Sequence, residues 1–184
     1  PGILLILAAA NFVAYSLEGA VVDWSGVYLQ KDLGASPELF GLGFACFSIT
    51  MAGMRFSGDF LRERFGSRNL ALASFLVSTL AYCAVASAQS VWFATLGYTL
   101  LGAGMANLVP VLFVMAARVP GLAPGMGIAA VAGIGAVGFL AMPPLIGFVA
   151  HVTSLSTAFF GLAAILLLSC FSGLVFPPTT ARKD

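Results

Sequence analysis

The sequence predicts an all-α membrane protein with six transmembrane helices. Three observations carry that prediction. Hydrophobic residues make up 60% of the 184-residue chain and charged residues only 8%, with a mean hydropathy of +1.05. A water-facing globular surface normally draws on about 25% charged residues, so most of this surface has to face lipid. The apolar residues are gathered into segments of about 20, the length that spans roughly 30 Å of hydrocarbon as a helix. The half-length alternating segments of a β-barrel are absent from the sequence.

The six segments fall near residues 3–29, 38–57, 69–88, 91–117, 125–150 and 154–176. Short connections with turn-forming residues separate them. Lys31, Asp32, Gly34, Ser36 and Pro37 lie in the first connection. Ser87, Gln89 and Ser90 form another, and Pro120, Gly121 and Pro124 a third. A charged tail, 177–184, follows the last segment. The chain begins at Pro1 inside an apolar run without a basic n-region or cleavage site, so the expectation is a missing upstream segment rather than a signal peptide.

Alternate connections lie on opposite sides of the bilayer. Arg55, Arg62, Arg64 and Arg68 follow the second segment, Arg118 follows the fourth, and Arg182 and Lys183 follow the sixth. Lys31 alone falls on the other side. That asymmetry predicts cytoplasmic termini. A formal net charge of +1 gives no electrostatic footprint for nucleic acid. Cys46, Cys83 and Cys170 sit in three different apolar segments and read as small buried hydrophobes rather than as metal ligands or a disulfide.

Within the first segment Glu18 lies about 3 Å from mid-membrane, and Asp23 lies about 10 Å from it toward the outside, at 1.5 Å of rise per residue. A charge near the bilayer centre costs about 2.5–3.5 kcal/mol on insertion scales, so such residues face a cavity or a partner. Asn11, Tyr15, Glu18, Val22 and Ser25 share one helical face, which reads as the lining of an aqueous pathway. The alternative for Glu18 is a hydrogen bond to a neighbouring helix. Asp23 occupies a different face and could meet outer water or cap a neighbour. Asn107 is the second mid-membrane polar group, between Gly102 and Gly104 on one side and Pro110 on the other; Pro110 frees a carbonyl four residues earlier. The fifth segment carries Gly125, Gly127, Gly133, Gly135 and Gly138 and then Pro143 and Pro144, a composition suited to close packing and bending. His151 stands alone at the outer end of that segment, and the sequence contains no HExxH, GxSxG or phosphate-cradling loop. Catalysis and direct ATP drive are therefore disfavoured, and neither a metal nor a cofactor is called for.

The stretch from Arg55 to Arg68, with Asp59, Arg62, Glu63, Arg64 and Gly66 inside it, resembles the cytoplasmic signature loop of the major facilitator superfamily, G-x-x-x-D-R-x-G-R-R. Glu63 takes the acidic place, Arg64 the basic one, Gly66 the glycine and Arg68 the last basic place. Asp59 stands in the register of the first glycine and Ser67 where an arginine is common. Residues 18–29 and 143–148 are similar to helices seven and eleven of a bacterial subgroup related to fucose-permease-type sugar transporters. The resemblance implies half of a twelve-helix fold, its C-terminal half, made of two three-helix repeats and lacking its N-terminal half. Laying Arg55, Phe56, Ser57 and Gly58 on Pro144, Leu145, Ile146 and Gly147 makes the first and fourth spans equivalent, with Glu18 and Asn107 on one central cavity. It also implies the bacterial inner membrane, and alternating-access transport of a small, sugar-like solute.

Together these readings give a secondary transporter with protons as a coupling partner. Glu18, Asn107, Tyr15, Asn11 and Asp23 are the candidate solute- and proton-binding residues. In the signature loop, Glu63 with Arg62, Arg64 and Arg68 would form a conformational latch; a basic cluster that only sets topology would look the same. The competing class is a self-sufficient six-span channel or membrane scaffold, alone or as a dimer.

Overall fold

Helices account for the architecture of the computed structural model, which describes residues 2–173; no strand occurs among them. In chain order they are α1 (Gly2–Val27), α2 (Leu42–Arg55), α3 (Gly58–Phe65), α4 (Ser67–Ala86), α5 (Val91–Met105), α6 (Leu108–Ala116), α7 (Pro124–Val152) and α8 (Leu155–Gly173). A π-helical turn, Tyr28–Asp32, extends α1, and a short 3-10 turn, Pro37–Leu39, leads into α2. Five helical stretches are long and apolar enough to cross a membrane: Gly2–Asp32, Pro37–Arg55, Ser67–Ala86, Val91–Ala116 and Gly125–Val152. The apolar stretch Leu155–Phe171 of α8 is shorter. Residues 174–176 and the tail 177–184, with Arg182 and Lys183, lie outside the described residues.

Four of these helices are the pieces of two longer rods. The fourth apolar segment is interrupted between Met105 and Leu108, next to the carbonyl that Pro110 leaves without its helical donor. The second rod breaks at residues 56–57, where the Ser57 hydroxyl and backbone N–H both donate to the Met54 carbonyl, at 2.7 and 3.1 Å. It then continues as α3. Gly66 ends α3 with φ +77° and ψ 155°, a region essentially restricted to glycine that costs other residues about 1–3 kcal/mol, and its N–H closes the helix on the Arg62 carbonyl at 2.8 Å. The glycine of the signature loop is therefore a backbone requirement of the α3–α4 turn.

The most extensive packing is between α1 and α7, followed by α4 with α5 and α8, and α2 with α5. Small residues set these approaches. A Cβ at Gly138 would lie against the Phe12 carbonyl and Ser16 Oγ, one at Gly135 would overlap the Asn11 amide, and one at Gly102 would overlap the Phe47 carbonyl. Without a hydrophobic drive between helices in lipid, such close van der Waals contact and interhelical hydrogen bonds hold the bundle. In the core, Tyr82 donates to the Leu17 carbonyl at 2.8 Å and Tyr28 to the Val85 carbonyl at 2.8 Å. The Phe159 ring of α8 stands edge-on to Tyr28, with centroids 5.0 Å apart. The apolar windows of α1, α4 and α5–α6 are more than half buried, whereas those of α2 and α7 are 17% and 22% buried. The bundle thus has a packed centre and two helices with large outward faces.

Candidate functional site

The site is built around the middle of α1. Glu18 projects from it with a quarter of its side chain exposed, and Arg55, half exposed at the last residue of α2, brings Nη2 to 4.0 Å from Glu18 Oε1. Sequence reasoning placed Arg55 with the cytoplasmic signature loop, and it lines a cavity with Gly58, Asp59 and Arg62 of that stretch while also facing Glu18. With the 3-10 turn before it, α2 forms the stretch Pro37–Arg55, long and apolar enough to cross a membrane, and Arg55 is its last residue. The charged helix α3 follows beyond it, and the Arg55 side chain reaches the level of Glu18.

Asn107 lies at the break between α5 and α6, 4% exposed. Its Nδ2 donates to the Met54 carbonyl at 3.3 Å, and its Oδ1 fills the place a Cβ would take at Gly58. Asn107 thus fastens the α5–α6 break to the α2–α3 break. It also lines a cavity of about 270 Å³ with Arg55, Gly58, Asp59, Arg62 and Pro110. Glu18 and Asn107 are brought together through Arg55, which touches the one and shares a cavity with the other. Asn107 additionally borders an apolar cavity of about 480 Å³ lined by Met54, Leu61, Phe65 and residues of α4 and α5.

The polar face read along α1 divides in the structure. Asn11 is fully buried, and its Nδ2 donates to the Val131 carbonyl of α7 at 2.9 Å. It is a strut between two helices and not part of a water-lined wall, because Gly135 lets its amide reach into α7. Ser25 is also fully buried. Tyr15, partly buried, packs against Gly135 next to Asn11. Asp23 is exposed and lines a cavity of about 470 Å³ with Trp24, Val27, Phe139, Leu140, Pro143 and Pro144.

Trp24 was passed over in the sequence. Its indole Nε1 donates to the Pro143 carbonyl at 3.1 Å, and its ring covers Gly147. A tryptophan donor on α1 facing a Pro-Pro pair on α7 was the available signal. In the signature region Arg62 pairs with Asp59 inside α3 at 2.9 Å. Glu63 and Arg64 are exposed; Arg64 lies over the Phe65 ring at 5.8 Å, and Glu63 has no ion pair among the described residues. The ion pair within α3 runs through Asp59 rather than Glu63. Arg68 is partly buried at the start of α4.

The family follows from the chain as a whole. Residues 4–184 match the family model described as Major Facilitator Superfamily. The chain belongs to that superfamily. Among curated superfamily relatives, an uncharacterised MFS-type transporter of Yersinia pestis is 36% identical over 91% of this chain and 44% of its own length. The membrane protein MosC of Rhizobium meliloti is 31% identical over 92% of this chain and 42% of its own. The fold matches that of the E. coli fucose:proton symporter FucP with a TM-score of 0.82, covering 96% of this chain and 43% of the symporter at 18% identity. A peptide transporter POT matches with a TM-score of 0.78, covering 95% of this chain and 37% of that one at 16% identity. The chain spans less than half the length of the relatives it matches. It is an integral membrane chain of a transporter superfamily, with a carboxyl and a guanidinium facing each other at the middle of its first helix.

Proposed function

We propose that the chain is one half, the C-terminal six-helix half, of a twelve-span secondary transporter of the bacterial inner membrane. It moves a small polar solute by alternating access, coupled to protons, with both of its termini in the cytoplasm. The observation that carries the reading is Glu18, a partly exposed carboxyl in the middle of a membrane-spanning helix with Arg55 4.0 Å away. An ionisable group at that depth is costly and is retained where it carries ions or solute. Glu18 binds the proton. Arg55, Asn107 and Tyr15 border the solute, while Asn11 and Trp24 hold α1 against α7. The Asp59–Arg62 pair and Gly66 belong to the conformational switch at the cytoplasmic end. Superfamily membership supports transport over catalysis, and the proteins sharing this fold include one described as a fucose:proton symporter and one described as a peptide transporter.

The test is uptake by vesicles carrying the full-length protein under an imposed pH gradient, across a panel of sugars, polyols and sugar acids. Gradient-driven uptake is expected in wild type and is lost in Glu18→Gln. Uptake that is indifferent to the gradient would remove proton coupling. Solute flux through the 184-residue chain alone would favour a self-sufficient channel.

A further inference from the structure

We propose that Arg55 is an anion-binding residue, and that the transported solute carries a carboxylate that takes Glu18's place beside it. This rests on the transport reading above and narrows the substrate class. A guanidinium offers five N–H donors in a planar fork that suits a carboxylate. In the structure Arg55 makes none of the hydrogen bonds that fork allows among the described residues. Its one charged neighbour, Glu18, stands at 4.0 Å, outside hydrogen-bond range. The other arginine on the 270 Å³ cavity, Arg62, is already matched by Asp59 at 2.9 Å. Asn107 is committed to the Met54 carbonyl. Among the described residues Arg55 is thus the open cation of that cavity, half exposed beside Glu18. A neutral solute there would leave the fork without an acceptor, while a carboxylate satisfies it in two bonds.

The exchange balances in charge. Before binding, the Glu18 carboxylate and the Arg55 guanidinium sum to zero. When a solute carboxylate takes the guanidinium, Glu18 is left unpaired among apolar helices and takes one proton from water, so the site again sums to zero. One proton then travels with one carboxylate. The charges able to disturb this are few. From α2, Arg55 faces Glu18, and from α3 the paired Asp59 and Arg62 line the cavity beside Arg55. Helix α7 carries His151 alone among Asp, Glu, His, Lys and Arg, in its last turn, and α6 and α8 carry none of these. Asp23 is five residues further along α1, and Lys31 and Asp32 are about 20 Å from Glu18 at 1.5 Å per residue.

The experiment measures thermal stabilisation and proton uptake by the purified full-length protein in lightly buffered detergent solution, with matched pairs of solutes: gluconate against glucose, and lactate against propane-1,2-diol. At least one carboxylate is expected to stabilise the wild type while its neutral twin does not, with about one proton taken up per molecule bound. Arg55→Gln weakens that binding by about tenfold or more, and Arg55→Lys, which keeps the charge but not the fork, retains part of it. Glu18→Gln binds the carboxylate at least as tightly and takes up no proton. Stabilisation by neutral members alone, or by no carboxylate in the panel, overturns the proposal. So does loss of carboxylate binding in Glu18→Gln together with Arg55→Gln, since the pair would then be a structural unit. Gradient-driven uptake of a neutral solute overturns the anion site and leaves transport standing, whereas carboxylate binding with proton uptake but no flux keeps the site and removes transport.

Discussion

Asn11 shows how much a single polar residue in lipid can be asked to do. Its amide spans α1 and α7 through one 2.9 Å bond to the Val131 carbonyl. Interhelical side-chain bonds in membrane proteins average about 0.6 kcal/mol and reach about 1.7. Asn11→Ala is therefore expected to destabilise the protein by about 0.6–1.7 kcal/mol, read from equilibrium unfolding in mixed micelles. An unchanged unfolding midpoint would mean that the strut carries nothing. Polarity at a depth in the membrane was legible in the sequence, and it singled out Glu18, Asn107 and Asn11 alike. What satisfies each polar group was not legible, because that depends on which neighbour has a glycine opposite it. Gly135 turns Asn11 into a strut, and Gly58 receives the Asn107 carbonyl oxygen, while Glu18 meets a charge instead. Arg55 was hidden for a related reason. A basic residue at the end of an apolar run reads as a topological flank, and only the packing of α2 against α1 puts it opposite Glu18.

Among the helices, α7 is the one whose sequence invites two readings of its glycines, close packing or flexibility, and the structure separates them by face. Gly135 and Gly138 are pressed against α1, whereas a Cβ at Gly133 would meet nothing within 4 Å. Gly138→Val has to push α7 away from the Phe12 carbonyl and Ser16, and overpacking of this kind costs about 1–3 kcal/mol. Gly133→Val should stay within about 0.5 kcal/mol of wild type, as substitutions away from packed features do. Thermal unfolding of the two variants of the full-length protein should therefore differ clearly; equal midpoints would show that α1 and α7 slide freely past one another. The proline pair acts at the same interface. Pro143 frees the Phe139 carbonyl, which lies against Gly19, and its own carbonyl accepts the Trp24 indole. Replacing the indole by Trp24→Phe removes that donor and should lower the midpoint as well, by an amount within the range given for Asn11. The break between α5 and α6 was foreshadowed by Pro110, but the break between α2 and α3 has no proline. It is made by the hydroxyl of Ser57 turning back on Met54, a local competition that apolar periodicity does not reveal.

At the scale of the molecule, lipid accepts apolar surface and rejects exposed charge. Helices α2 and α7 are exposed over most of their apolar length, which lipid tolerates. It does not tolerate Glu18, a quarter exposed at the middle of a span, or the half-exposed Arg55 beside it. Asp23, exposed beside the Pro143–Pro144 bend, adds a third charge to the same problem. The apolar outer surface and the superfamily were both legible from composition and from the loop around Gly66. The need for a cover over this charged surface is a property of the packed bundle, since it follows from which flanks of α1 and α2 remain open after α4, α5 and α7 have docked. A chain that presents those charges outward should not persist as a folded monomer on its own. Expressed without further sequence and purified in detergent, the 184 residues are expected to associate through the surface around Arg55, or to unfold below the temperature at which the full-length protein does. Light scattering with detergent correction reads the first and thermal unfolding the second. Arg55→Leu combined with Glu18→Leu removes the charges while keeping the apolar bulk, and in the isolated chain it should reduce association and raise the unfolding midpoint, because a neutral flank can face the micelle. A wild-type fragment that ran as a stable monomer, no less stable than the double variant, would show that the pair shields itself and that the open surface needs no cover.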